Sequence, residues 1–191
     1  MTTIDVDVTA NADDGSAYQT GSAFSATETN EWFGFASGNV EAFFVYSGIS
    51  GLSGSTIDVS YISIYTVNIT SSGADMLVQA EDVETATAPT DLTEFNAKTL
   101  TSASVAWDDI PDADAFTDSP SINSVIQELA NSYDPDVIGI YLKSSGAGDR
   151  TSMSFHDHPA SRDPKLHIEY TAGGGGIVPQ YIHHAKQLGF G

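Results

Sequence analysis

Ile57-Asp58-Val59-Ser60-Tyr61-Ile62-Ser63-Ile64-Tyr65-Thr66-Val67-Asn68-Ile69 is the stretch on which the fold turns. Its side chains alternate, and a period of two belongs to a β-strand. Val59, Tyr61, Tyr65 and Val67 fall on one face, and Ile62 and Ile64 fall on the other. A strand that is apolar on both faces of its middle is covered on both sides. Residues 57–69 therefore read as a long central strand.

The same alternation recurs outward from it. Residues 4–9 are apolar on one face and polar on the other, and Asp13-Asp14-Gly15 follows as a turn. Residues 31–35 and 40–46 are rich in aromatics and read as buried strands, and 47–55 reads as a Gly/Ser loop. Residues 75–80, 99–107, 136–143, 150–155 and 165–171 are further strand candidates. One segment keeps a helical period. Ser119 is the expected N-cap, Pro120 sits in the first turn, and Ile122, Val125, Ile126 and Leu129 make one apolar stripe. That helix is expected to end near Asn131 and to close one end or edge of the fold. The predicted class is all-β: a two-sheet antiparallel β-sandwich of jelly-roll type, with eight to ten strands and one short helix near 120–131. It spans residues 1–172, and Gly173 to Gly176 form a flexible linker.

The chain has 191 residues, 40% of them hydrophobic, enough for one domain with a full core. Its net charge is −20, and residues 1–97 hold fourteen acids and no Lys or Arg. Such a surface repels nucleic acid and anionic lipid, whose capture needs Lys and Arg. There is no cysteine, which excludes disulfides, thiolate zinc sites and a Cys nucleophile. The first fifteen residues lack a basic region and an apolar run, and no stretch approaches eighteen apolar residues. The expectation is a protein made in a cytoplasm without a signal peptide, not membrane-spanning, that reaches the exterior by lysis or within a particle.

Residues 177–191 stand apart. They hold no acid, one Lys, two His, and the large apolar residues Ile177, Val178, Tyr181, Ile182, Leu188 and Phe190. A free segment of this composition exposes apolar surface, so it is expected to dock on a sister subunit, another protein or its own domain, with these six residues as the partner-binding set; the alternative is a loosely ordered C-terminal extension.

Several pieces resemble a known family. They are Ala12-Asp13-Asp14-Gly15, Gly54-Ser55-Thr56-Ile57, Gln79-Ala80-Glu81-Asp82-Val83-Glu84 with Ala88-Pro89-Thr90, and Thr101-Ser102-Ala103-Ser104-Val105-Ala106-Trp107. Ser119-Pro120-Ser121-Ile122-Asn123-Ser124-Val125-Ile126-Gln127-Glu128 and Asp163-Pro164-Lys165-Leu166-His167-Ile168-Glu169-Tyr170 complete the set. Together they resemble the carbohydrate-binding-module-like jelly-roll domains of bacterial secreted proteins and of tailed-bacteriophage structural proteins. The resemblance covers about residues 1–171 and implies a fold and a binding or scaffold role. Carbohydrate modules usually accompany a catalytic domain or a signal peptide, and neither is visible here.

Candidate chemistry is sparse. Asp108, Asp109, Asp112 and Asp114, with Asp118, crowd one expected loop, and oxygen ligands from an irregular loop suit Ca²⁺. Asp5, Asp7, Asp13 and Asp14 form a second acidic cluster, and Glu81, Asp82 and Glu84 a third. His156 and His158 would share a face on a strand, but a turn follows and no third ligand is near. No nucleophile elbow, P-loop or dinucleotide fingerprint is present. Among the aromatics Trp32, Tyr46, Tyr61, Tyr65 and Trp107 fit alternating core positions, whereas Tyr18 lies in a Gly/Ser/Thr-rich stretch and is the candidate sugar platform. The reading that results is a non-enzymatic structural or assembly protein of a phage or virus-like particle. It would be a homo-oligomer that meets other particle proteins through its tail. The alternative is a carbohydrate-binding or adhesin module that meets a surface glycan.

Overall fold

The computed structural model describes residues 1–35, 38–67 and 73–173. Its elements run β1 (Thr2–Asp7), β2 (Asp14–Tyr18), β3 (Ala23–Ser25), β4 (Asn30–Gly34), β5 (Val40–Ser47), β6 (Thr56–Val67) and β7 (Ala74–Ala80). There follow α1 (Leu92–Ala97), β8 (Val105–Ile110), β9 (Ala115–Asp118), α2 (Asn123–Ser132), β10 (Val137–Gly148), β11 (Arg150–Ser154) and β12 (Lys165–Thr171).

The fold is all-β and antiparallel, as expected, with helices as minor parts. The two-sheet division is not what the ladder shows. One twelve-stranded sheet runs β1-β12-β6-β11-β4-β5-β10-β7-β8, with β2 on β5, β3 on β2 and β9 on β6. Its two halves join where Gly34 of β4 pairs with Val40 of β5. They still enclose one core. Ile62 and Ile64 of β6 and Ile168 of β12 are buried in the same cluster as Phe44 and Tyr46 of β5 and Ile140 of β10. The Phe44 ring lies 6.4 Å from that of Phe155, which follows β11.

β6 is central. Ser63 pairs with Lys165 of β12 and also with Asp118 of β9, so both edges of the strand are occupied. A register shift between Glu169 and Tyr170 pairs Val59 with Glu169 and Ile57 with Tyr170. That bulge turns Ile57 into the core beside Ile62 and Ile64. The opposite face, with Val59, Tyr61 and Tyr65, stays half exposed. Asn68 and Ile69, the expected end of this strand, lie outside the described residues.

β9 covers only part of its edge of β6, and the chain beyond it finishes the task. Ser119 Oγ accepts from Ile62 N at 3.1 Å, and Ile122 N donates to Ser60 O at 2.9 Å. Asn123 Nδ2 donates to Asp58 O at 2.7 Å, Gln127 Oε1 accepts from Ile57 N at 2.9 Å, and Gln127 Nε2 donates to Ser55 O at 2.8 Å. Helix side chains thus substitute for a missing strand, because a strand's N–H and C=O groups must find partners. This corrects the expected cap. Ser119 does not cap α2; it is buried and spent on β6, and the residue preceding the helix, Ile122, makes no side-chain cap. The apolar stripe holds, with Ile122, Val125, Ile126 and Leu129 all fully buried.

Elements that the alternation missed are short or locally disguised. α1 begins at Asp91, whose Oδ1 accepts from Glu94 N, while Glu94 Oε2 accepts from Thr90 N. That is a capping arrangement over six residues, and Phe95 is its one buried side chain. The strand expected over 99–107 begins later, at Val105.

Replacing Gln127 by Ala strands Ile57 N and Ser55 O. A loss of about 1–3 kcal/mol is expected in urea unfolding, against little change for the exposed Ser124→Ala.

Candidate functional site

A cleft of about 470 Å³ opens where β2, β3, β4 and the start of β11 meet, lined among others by Tyr18, Phe24, Glu28, Glu31, Trp32 and Arg150. Each wall has a local cause. Tyr18 ends β2 and is 37% exposed, one of three exposed aromatic rings with Phe35 and Phe116 among the described residues. Its ring is clamped between two glycines. A β-carbon on Gly21 would lie 2.1 Å from Tyr18 Cε1, and one on Gly38, whose φ is +85°, would lie 2.5 Å from Cε2. The neighbouring Gln19 fixes this corner. Its Nε2 donates to Glu41 Oε2 at 2.7 Å and to Asn96 Oδ1 at 2.9 Å.

Trp32 and Phe33 are adjacent on β4, so they face opposite ways. Phe33 is fully buried, and Trp32 is left half-buried in the cleft wall. The Arg150 guanidinium lies 3.8 Å from the Trp32 ring centre. Phe24 stacks on Phe43 at 5.6 Å, tying the opposite wall to the core. Glu28 Oε1 accepts from Ser25 Oγ at 3.2 Å, and Glu31 Oε1 accepts from Trp32 N at 2.7 Å. The cleft therefore combines three aromatic rings with two carboxylates and one ring-bound guanidinium. Such a mixture suits an apolar ligand that carries hydrogen-bond donors or positive charge.

Tyr18 is the one residue the sequence singled out here, although it ends a strand rather than lying in a loop. Trp32, expected at a core position, is instead half-buried in the cleft wall, because on β4 only the face that carries Phe33 is covered. Arg150 enters by pairing with Gly34 across strands distant in sequence, which no local pattern announces. The other aromatics divide: Tyr46 and Trp107 are buried, while Tyr61 stacks on His167 at 4.7 Å and Tyr65 meets Phe116 edge-on at 5.4 Å.

The acidic clusters are dispersed. Among the described residues no group of three or more His, Cys, Asp or Glu is placed to hold a metal ion. Asp108 and Asp109 lie on β8, not in a loop, and Asp75 Oδ1 accepts from Asp109 N. Asp114 accepts from the Tyr65 hydroxyl and lies 3.9 Å from Arg162, while Asp112 is half-buried between. The calcium set Asp108, Asp109, Asp112 and Asp114 is thus not gathered into a cage. Elsewhere Asp5 meets His167 at 2.6 Å, and Glu81 holds Lys98 at 3.1 Å. His156 and His158 follow β11 in a turn, and His156 Nδ1 meets Asp163 at 2.9 Å.

Asp14 is the exception in this polar inventory. It is 2% exposed, and its Oδ2 accepts from His156 N at 2.8 Å. Burial pushes its carboxyl up to about 7, with Asp157 and Asp163 acting in the same sense and His156 against it. The carboxyl does not line the cleft.

The tail residues Ile177, Val178, Tyr181, Ile182, Leu188 and Phe190, and also His183 and His184, lie outside the described residues. Gly173 is described. A β-carbon there would lie 2.1 Å from Gly54 O, so the chain leaves the domain pressed against the 48–55 loop. That loop follows Ser47, the far end of the strand whose first residue, Val40, lines the cleft. Seven residue steps along β5 separate the two ends by about 23 Å.

No family model matches the chain, and no curated protein matches it.

Two outcomes follow. A carboxyl whose folded pKa is raised destabilises once it ionises. Its cost is absent below pH 4, grows as pH climbs from about 4 to 7, and is constant above. Asp14→Asn keeps an acceptor for His156 N and removes that cost. The variant should match the parent near pH 3.5 and exceed it at pH 8 by up to about 4 kcal/mol in denaturant titrations. Separately, the melting midpoint should be the same in excess Ca²⁺ as in chelator, since a bound native-state ion would raise it.

Proposed function

We propose that this chain is a non-enzymatic structural and assembly protein of a phage or virus-like particle, such as a decoration, appendage or tail-associated subunit. It self-associates or anchors through Ile177 to Phe190. The observation that carries this reading is the polarity of the domain. The chain leaves at Gly173, against Gly54, at the end remote from the Tyr18 cleft. The last described residue lies at one pole, the acid-free, apolar segment follows it in sequence, and the open cleft lies at the other pole, which supports an attachment end and a presenting end.

The domain surface supports the reading. Each Lys or Arg among the described residues is engaged: Lys98 on Glu81, Lys143 on Glu41, Arg150 on Trp32, Arg162 on Tyr65 and Lys165 on Phe116. A surface so short of available positive charge is poorly suited to nucleic acid or anionic membrane. Catalysis lacks a matching feature in the cleft, because the carboxyls that burial raises, Asp13 and Asp14, do not line it. The particle setting, with release to the exterior by lysis, comes from the family resemblance and the tail.

A second reading, a carbohydrate-binding or adhesin module, is favoured by the clamped and exposed Tyr18 ring beside Glu28 and Glu31. The two readings separate cleanly. Deleting residues 174–191 should leave far-UV circular dichroism and the melting midpoint unchanged while sedimentation shows loss of assembly. If the truncated chain assembles as before, and Tyr18→Ala abolishes retention on a polysaccharide column, the module reading replaces the assembly one.

A further inference from the structure

We propose that the Tyr18 cleft is the receptor for the C-terminal segment of a second copy of this chain, so that copies join head to tail. The inference rests on the assembly reading and names the surface that the tail would occupy. The described cleft and the tail sequence are complementary in two respects. Tyr18, Phe24, Trp32 and Val40 give the cleft its apolar walls, and the tail supplies Ile177, Val178, Tyr181, Ile182, Leu188 and Phe190. Glu28 and Glu31 make the cleft acidic, with Arg150 held on the Trp32 ring. The tail carries Lys186, His183 and His184 and no acid.

Charge makes this pairing selective. Two copies of a chain of net −20 repel wherever acidic surfaces meet. Residues 177–191 are a stretch of this chain that can approach such a surface without like-charge cost. The volume, about 470 Å³, is that of a site for a short segment rather than for a folded face.

Position sets the direction of the junction. Gly173 lies against Gly54 in the loop that follows one end of β5, the cleft lies at the other end, and the strand between them is about 23 Å long. To reach its own cleft, a tail would have to lay apolar side chains along the length of an acidic domain. To reach a neighbour's, it needs only to project. The eighteen residues beyond Gly173 span up to about 60 Å when extended. The resulting interface is heterologous: each copy gives a tail and takes another, which builds a ring or an open filament.

The test uses full-length protein and sedimentation velocity. Tyr18→Ala and Glu31→Lys alter the cleft, and Gly21→Ala displaces the Tyr18 ring without itself meeting a ligand. Ile182→Asp with Phe190→Asp alters the tail. Circular dichroism confirms that each variant is folded, and a cleft variant that fails to fold is replaced by one of the other two. The wild type should assemble, and cleft and tail variants should each fall to the mass of a single chain. An equimolar mixture of one cleft variant and the tail variant should form a dimer that does not grow, since one partner offers an intact tail and the other an intact cleft. Cleft variants that assemble like wild type while tail variants do not would overturn the cleft as receptor and leave the assembly reading standing. Tail variants that assemble like wild type would overturn both. A mixture that stays monomeric overturns the proposal, and so does a monomeric wild type, whether or not its cleft retains a polysaccharide.

Discussion

A strand in the middle of a sheet must satisfy two rows of backbone groups, and in this domain the second row of β6 is met by four kinds of partner in succession. β9 takes Ser63 to Thr66, Ser119 takes Ile62, the backbone of Ile122 takes Ser60, and the side chains of Asn123 and Gln127 take Asp58, Ile57 and Ser55. Much else follows from that zipper. It fixes the rotation of α2, which drives Val125, Ile126 and Leu129 into the core. It holds the bulged start of β6 in place, so that Ile57 points inward beside Ile62. It also secures Ser55, next to Gly54, where the chain departs at Gly173.

The remaining half of the sheet is organised around β5. Its inward residues join the main core, and Phe43 and Val45 on its other face meet Phe95 and Tyr141 in a second, smaller cluster under α1. Apolar cover on both faces makes β5 a rigid rod. One end of the rod carries the cleft, and the other leads into the exit loop. The separation between them is therefore set by a buried strand rather than by a hinge.

What was legible in the sequence was whatever repeats. The alternation of β6, the stripe of α2 and the aromatic run of β5 all announced themselves. Signals with two local meanings did not. Asp13-Asp14-Gly15 has the composition of a turn, yet Asp14 begins β2, because its carboxylate is taken by the backbone of His156 far along the chain. Ser119-Pro120 has the composition of a helix start, yet the hydroxyl went to a strand. Asp108 and Asp109 look like loop residues, but β8 carries them with Asp109 at φ +53°, and Asp75 accepts from its N–H. The cleft was legible in one residue only. Tyr18, Trp32 and Arg150 converge through pairings between strands that no spacing encodes.

The main path of the ladder described above ends on β1 and β8, while the short strands β3 and β9 form further edges. A sheet with free ends offers unpaired backbone to any other copy, which is the usual route to ribbons and precipitates. Here both ends carry charge: Asp5 and Asp7 on β1, Asp108 and Asp109 on β8. Their shared sign acts as a guard against sideways growth of one twelve-stranded sheet onto the next. The guard is ionic and sits on the surface, so salt governs its reach: at physiological ionic strength it acts only over about 8 Å, the range at which two sheet ends would begin to pair.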